Sequence, residues 1–301
     1  MSAVNNKKNG KDYRGTIFLE DATVVSQVEF PGEQYILTID APKCALNATP
    51  GSFAHLRCHT EIPMRRPLSI MRANPATGHV EFLYKIVGEG LRSLGQLHAG
   101  DTLSIMGPIG QGFVPSAERP RKLMVGGGVG IPPMLFLAEH LAVNNNADNA
   151  LVLMGSEVPF PFELVTSGIA VNGVPDNASK SIADIEALGI AARLASLQDY
   201  SGVYSGYVTQ LAEDWLQSMD ETERSQVDMF ACGPEAMLEA AAKVASKFNV
   251  HCQLSLEEFM ACAVGGCAGC TVPVHLDDGL AMKRVCVDGP VFAASTIYPD
   301  S

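Results

Sequence analysis

Four cysteines toward the C-terminal end constrain this chain more than any other feature. Cys262, Cys267 and Cys270 stand in a C-x4-C-x2-C run, and Cys286 follows after fifteen intervening residues. This is the plant-type spacing for a [2Fe–2S] cluster. Three thiolates within nine residues wrap one side of a small inorganic core, and the distant fourth closes the other. Ala263, Val264, Gly265, Gly266, Ala268 and Gly269 are all small. They let backbone N–H groups approach the sulfurs, and glycine tolerates the positive φ that such a loop needs. A structural zinc site made of four cysteines more often shows two short C-x2-C pairs, and here only Cys267 and Cys270 form one. A thioredoxin-like redox pair would leave Cys262 and Cys286 without a role. The spacing therefore favours an iron–sulfur centre, with zinc as the alternative, and a chain that handles electrons one at a time.

Composition sets the outer limits. The chain has 301 residues, room for two or three domains, and is 47% apolar and 18% charged, which suits a sizeable core. A net charge of −12 argues against a nucleic-acid backbone or an anionic membrane surface as partner. The first ten residues lack the apolar core of a signal peptide, and no apolar run is long enough to span a bilayer. Eight cysteines in that setting point to a reducing, cytoplasmic compartment. Cys44, Cys58 and Cys252 are expected to be small buried hydrophobes.

The pattern along the chain changes twice. After an N-terminal extension (1–15), residues 16–115 carry short β-like runs: Ala22–Val28, Gln34–Asp40, Phe53–Cys58, His79–Val87 and Thr102–Met106. Their spacing and turn residues predict a β-barrel or sandwich. Residues 116–250 alternate strands (Lys122–Val125, Leu151–Met154, Val227–Ala231) with helices (Pro133–Val143, Thr209–Gln217, Glu235–Phe248). That alternation predicts a parallel sheet with helices on its faces. The polar stretch 144–149 reads as a loop. The stretch 167–205 reads either as an insertion or as a βα unit with long connections. From His251 the chain turns loop-rich, and 251–301 is assigned to the cluster.

Several motifs carry binding chemistry. Gly126, Gly127, Gly128, Val129 and Gly130 lie between a predicted strand and a predicted helix, where a tight turn and free N–H groups suit a pyrophosphate. Cys232-Gly233-Pro234 ends a second apolar strand, so it belongs at the same sheet rim. Helix–strand packing and a proline-started helix explain the same residues without a ligand. Arg66-Pro67-Leu68-Ser69 offers a phosphate-clamping guanidinium and a hydroxyl. His55, Cys58 and His59 form a compact group, but strand alternation sends Cys58 and His59 to opposite faces, so core and surface roles are favoured over a metal.

Taken in order, Arg66-Pro67-Leu68-Ser69, Leu83-Tyr84-Lys85, Gly88-Glu89-Gly90, the glycine turn and Cys232-Gly233-Pro234 resemble the ferredoxin–NADP reductase superfamily. Ser255 through Cys262 and Cys286 through Phe292 are more specific. They resemble the electron-transfer subunit of type B dihydroorotate dehydrogenase, and the motifs together cover nearly the whole chain except about the first fifteen residues and parts of 167–205. The resemblance implies three units: a flavin barrel, an α/β nucleotide domain and a small [2Fe–2S] domain. It implies FAD held by Arg66, Pro67, Leu68, Ser69, Leu83, Tyr84 and Lys85, with Gly90 and Leu91 at the diphosphate. Leu91 stands where the family usually has threonine and lacks its hydroxyl, which leaves backbone N–H donors there. It further implies NAD at Gly126–Gly130 and Cys232–Pro234, and the cluster at Cys262, Cys267, Cys270 and Cys286.

The same resemblance implies a division of labour. A separate FMN-containing catalytic subunit, joined in a heterotetramer, oxidises dihydroorotate in pyrimidine biosynthesis. Electrons cross this chain's cluster and FAD to NAD+, and no catalytic side chain is assigned here. Glu157, beyond the strand Leu151–Met154, would repel a 2′-phosphate, and no Lys or Arg follows before Lys180, so NAD is expected over NADP. Two alternatives stand beside this reading. One is the electron-transfer subunit of another NAD(P)H:acceptor oxidoreductase, such as a sulfhydrogenase or a bifurcating transhydrogenase. The other is a non-enzymatic redox sensor.

Overall fold

The computed structural model describes residues 15–59, 61–144, 147 and 149–301. Of the expected N-terminal extension, all but Gly15 lies outside the described residues, as do three positions of the polar loop at 144–149.

The N-terminal half is one antiparallel sheet that curls on itself. Its strands are β1 (Phe18–Phe30), β2 (Gln34–Asp40), β3 (Phe53–Arg57), β4 (Arg66–Ser69), β5 (Arg72–Asn74), β6 (His79–Lys85) and β7 (Thr102–Ile109). They lie in the order β4-β3-β7-β1-β2-β6-β5. Alternation builds the interior: Leu37 and Ile39 of β2, Leu56 of β3, Val80 and Phe82 of β6 and Ile105 of β7 are fully buried together. Two short helices, α1 (Pro42–Asn47) and α2 (Gly88–Leu94), plug the interior with Cys44, Leu91 and Leu94. The link from β4 to β5 bridges the open seam. There Ile70 N–H donates to the Ser52 carbonyl (3.2 Å) and Met71 N–H to that of Glu81 (2.8 Å). The expected barrel is thus a curled sheet with β4 and β5 at its two edges.

The second sheet is parallel. It uses β8 (Arg121–Gly127), β9 (Ala150–Gly155), β12 (Ala191–Ser196), β13 (Tyr204–Ser205), β14 (Val227–Cys232) and β15 (His251–Ser255). The order is β13-β12-β9-β8-β14-β15, and all of these pairs run parallel. Strands buried on both faces read as unbroken apolar runs, which is why β8 and β9 were legible. Helix α3 (Ile131–Val143) and the short α4 (Ala183–Ala187) pack one face, while α5 (Val208–Gln217) and α7 (Glu235–Lys247) pack the other. A further short helix, α6 (Glu221–Ser225), precedes β14.

The stretch at 167–205 is part of the crossover between β9 and β12. It holds most of a two-stranded hairpin of β10 (Leu164–Thr166) and β11 (Lys180–Ile182), then α4, then β12 itself. Its length comes from a hairpin standing where a long helix would normally cover the sheet.

The C-terminal segment leaves β15 as an irregular loop, forms a hairpin of β16 (Thr271–Leu276) and β17 (Gly279–Arg284), and returns as β18 (Val291–Ala293) and α8 (Ala294–Ile297). Strand β18 pairs antiparallel with β15 and completes the edge of the parallel sheet. Val285, Cys286 and Val287 form a small core with Phe53 and Ile109 of the barrel. Arg72 ties the barrel to the helices of the nucleotide side. It donates to Glu139 of α3, to Asp184 of α4 (2.8 Å) and to Glu81 of β6 (3.2 Å).

Candidate functional site

The cysteine loop runs between β15 and β16, and its backbone is bent to serve the sulfurs. Ala263 (φ 55°), Gly265 (φ 78°) and Ala268 (φ 54°) take left-handed conformations, two of them without the freedom of glycine. Such bends turn N–H groups inward. Cys267 N–H donates to Cys262 Sγ and Gly269 N–H to Cys267 Sγ, each at 3.4 Å. Arg284 braces the loop from outside. It donates to the Gly265 carbonyl (3.0 Å) and is itself held by Asp288 (3.0 Å). Val285 N–H donates to the Cys270 carbonyl at 2.9 Å, which sets the fourth cysteine against the third.

The four sulfurs fall into two pairs. Cys270 and Cys286 are buried with their sulfurs 3.2 Å apart, while Cys262 is half-buried and Cys267 exposed. Burial pushes the Cys286 thiol up to about 12, and the neighbouring Cys270 adds to that. Burial also acts against the Cys262 thiolate, but the N–H groups of Val264, Cys267 and Gly266 outweigh it and bring Cys262 down to about 7. Ligation needs thiolates, so this loop lowers the cost at Cys262. A diiron cluster takes two thiolates on each iron, which two pairs satisfy. The paired sulfurs therefore fit a [2Fe–2S] core.

A cavity of about 340 Å³ opens where the three parts of the chain meet. The barrel contributes Pro67, Leu68 and Ser69 of β4, Leu83, Tyr84 and Lys85 of β6, and Leu91 of α2. The parallel sheet contributes Val129, Gly130, Cys232 and Gly233, and the segment leading to the cysteine loop contributes Glu257, Glu258 and Met260. Arg66 and Gly90 lie beside this lining: a Cβ on Gly90 would sit 3.0 Å from Arg66 Nε. The phenol of Tyr84 turns inward, donating to Gln27 Oε1 (3.0 Å) and stacking on Tyr35 at 5.4 Å. Only the rest of that residue is left to face a ligand. Burial holds the Cys232 thiol up at about 12, so it is a neutral wall and not a nucleophile.

Gly126–Gly130 and Cys232–Pro234 pack against each other at the carboxyl ends of β8 and β14, whose register pairs Gly126 with Cys232. A Cβ on Gly130 would run into the Cys232 carbonyl, and one on Gly127 would run into Met237 and approach Pro234. Gly128 adopts φ 55° and turns the chain into α3. That helix offers fewer donors than a free N-terminus normally does. The N–H of Ile131 is taken by Gly128, and Pro132 and Pro133 have none. Glu157 sits exposed just beyond β9, at the same rim.

Some lining residues were not singled out from sequence. Glu257, Glu258, Met260 and Pro290 come from the segments flanking the cysteines. The motifs at Ser255–Cys262 and Cys286–Phe292 contain them, but nothing in the sequence says that the chain folds back to bring them to the cavity. Cys58 is buried in the barrel interior and His59 exposed, as strand alternation predicted.

Comparison with known proteins adds an independent line. Residues 257–298 match the iron–sulfur cluster binding domain of dihydroorotate dehydrogenase B, and residues 19–113 match the oxidoreductase FAD-binding domain. The dihydroorotate dehydrogenase B (NAD(+)) electron transfer subunit of Caldanaerobacter subterraneus subsp. tengcongensis is 33% identical over 276 residues, covering 92% of this chain and 97% of that protein. The same subunit of Geobacillus thermodenitrificans is 32% identical, covering 92% and 98%. Among solved structures, an NADH-dependent reduced ferredoxin-NADP oxidoreductase studied for flavin-based electron bifurcation superposes with a TM-score of 0.70 at 24% identity, over 91% of this chain and 88% of that one. The ferredoxin reductase of carbazole 1,9a-dioxygenase gives 0.58 at 19% identity, over 78% and 67%. At those identities the structural likeness is one of fold alone.

Proposed function

Because this chain belongs to the family of dihydroorotate dehydrogenase B electron-transfer subunits, we propose that it passes electrons from dihydroorotate oxidation in a partner subunit to NAD+, by way of a [2Fe–2S] cluster and FAD. The partner is a catalytic subunit, which we take to carry FMN and to join this chain in a heterotetramer. The setting is pyrimidine biosynthesis in the cytoplasm, where thiolates stay reduced. Among the described residues no helix is long and apolar enough to cross a membrane.

One observation carries the reading: flavin-motif residues, the nucleotide rim and the approach to the cysteine loop all line a single cavity. A bound flavin exchanges electrons singly with a cluster and in pairs with a nicotinamide, and the protein's part is to hold and orient both. Pro67, Leu68 and Ser69 supply a wall with one hydroxyl for a ring edge. Arg66, against Gly90, supplies a positive charge for a diphosphate. Val129, Gly130 and Gly233 form the sheet-side lining along which a nicotinamide would approach the same wall. Glu157 at the rim disfavours a 2′-phosphate, which supports NAD over NADP. Cys262, Cys267, Cys270 and Cys286 would hold the cluster, and Met260 packs between their small core and the cavity lining.

Purification of the native complex, with flavin, iron and sulfide analysis, tests the assignment. The expected result is a dihydroorotate-oxidising subunit together with one flavin and one diiron cluster per copy of this chain. Dihydroorotate turnover by this chain alone would refute the division of labour.

A further inference from the structure

His55 is fully buried, yet neither of its ring nitrogens has a hydrogen-bond partner among the described residues. An unpaired buried polar group costs about 1–3 kcal/mol, so an orphaned imidazole needs an explanation. Its place in the fold supplies one. His55 lies on β3, opposite Met106 of β7 and Pro67 of β4. Strand alternation puts it on the same face as Phe53, outside the barrel and under the C-terminal segment. Phe53, Pro67 and Met260 line the cavity and His55 does not, so a ligand in the cavity cannot supply the missing partner. Burial, together with the charges of Arg65 and Arg66, keeps the ring neutral, while the Met260 backbone acts in the opposite sense by favouring its proton. A neutral imidazole has one N–H to donate.

The segment above His55 lacks anchors. Leu256 N–H donates to the Pro290 carbonyl (2.9 Å), and Arg284 holds the Gly265 carbonyl (3.0 Å). Between these ties, Glu257–Ala261 makes no backbone–backbone hydrogen bond among the described residues. An unmet donor thus faces an unanchored stretch of main chain that leads directly into Cys262.

We propose that His55 is a positioning residue for the cluster: its ring N–H takes the Met260 carbonyl and pins the entry to the cysteine loop against the flavin wall. It thereby sets how the cluster is held relative to the cavity, without touching either cofactor. The proposal rests on the function given above. The two are separable, because a wild-type chain that holds no cluster would sink the function, whereas the role of His55 is read by comparing variants.

The test uses the cofactor-loaded chain and the substitutions His55→Leu, His55→Gln and His55→Asn. The readouts are hydrogen exchange over residues 262–267, where N–H groups are held by Cys262 Sγ, the paramagnetic spectrum of the reduced cluster, and anaerobic NADH reduction followed separately at flavin and cluster. In His55→Leu, flavin reduction by NADH is expected to be unchanged. Exchange in the cysteine loop should quicken about fivefold, the effect of one lost hydrogen bond, and the cluster spectrum should shift while its reduction slows. One of the two amide variants should restore all three readouts, since each keeps an N–H near one ring-nitrogen position. His55→Leu with wild-type exchange and spectrum would overturn the proposal, as would failure of both amide variants to restore them. If His55→Leu assembles no cluster, the amide variants decide: a wild-type spectrum in one supports the proposal, and loss in both overturns it.

Discussion

Gly130 is held against the main chain of Cys232, close enough that any side chain would strike the Cys232 carbonyl. The contact joins the two turns that line the sheet side of the cavity, where we propose that the nicotinamide binds. Gly130→Ala should therefore force them apart and weaken NADH binding by roughly tenfold, the usual scale of a single overpacking clash. Flavin content should stay at the wild-type level, because the barrel residues are untouched. Titration of flavin reduction against NADH concentration checks this. His55 makes a second prediction at this scale. Its pKa falls from the usual 6.5 to about 4, through burial first and then Arg65 and Arg66. A folded-state pKa below the unfolded one means that the unfolded chain binds more protons, so stability falls as pH drops from about 6.5 toward 4. Between pH 7 and 5 the wild type should lose about 2 kcal/mol more than His55→Leu. Unfolding curves of both proteins at the two pH values measure the difference.

At the scale of elements, the parts most legible in sequence were those whose burial leaves a period. Strand β9 is apolar throughout, β8 and β14 are apolar apart from Arg121, Lys122 and Asp228, and α5 and α7 bury one face each, so these patterns located them within a residue or two. The short elements left no such trace. Strands β4 and β5 are four and three residues long and are defined by the partners they find across the seam. The crossover from β9 to β12 was ambiguous for a similar reason: two three-residue strands and a five-residue helix are too brief to show a pattern. The cysteine loop was readable because spacing, not periodicity, encodes it. The contribution of Glu257–Met260 to the cavity was hidden, since it depends on how the loop folds back over the barrel. Arg72 shows what element contacts can hold. With Glu81, Glu139 and Asp184 around it, it joins a barrel strand to α3 and α4. Arg72→Ala would leave the carboxylates facing one another and should cost on the order of 2 kcal/mol. Arg72→Lys should recover only part of this, because it lacks the planar fork that meets several acceptors. Thermal melting of both variants reads the ranking.

Across the whole molecule, the proposed function gives the cavity and the cysteine loop different work. Cys286 is the buried member of the cluster set that lies farthest along the chain, beyond the β16–β17 hairpin. Cys286→Ser should abolish the cluster while leaving NADH-driven dye reduction at the flavin close to wild type. In the assembled complex the same change should stop transfer from dihydroorotate to NAD+. Loss of dye reduction along with the cluster would mean that the two halves are not separable. The most direct measurement is anaerobic addition of NADH to the isolated chain carrying its flavin and cluster, followed by absorbance and paramagnetic resonance. The account predicts that flavin and cluster absorbance both bleach and that a reduced-cluster signal appears, with no catalytic subunit present. Flavin and cluster that stay oxidised under NADH would contradict it.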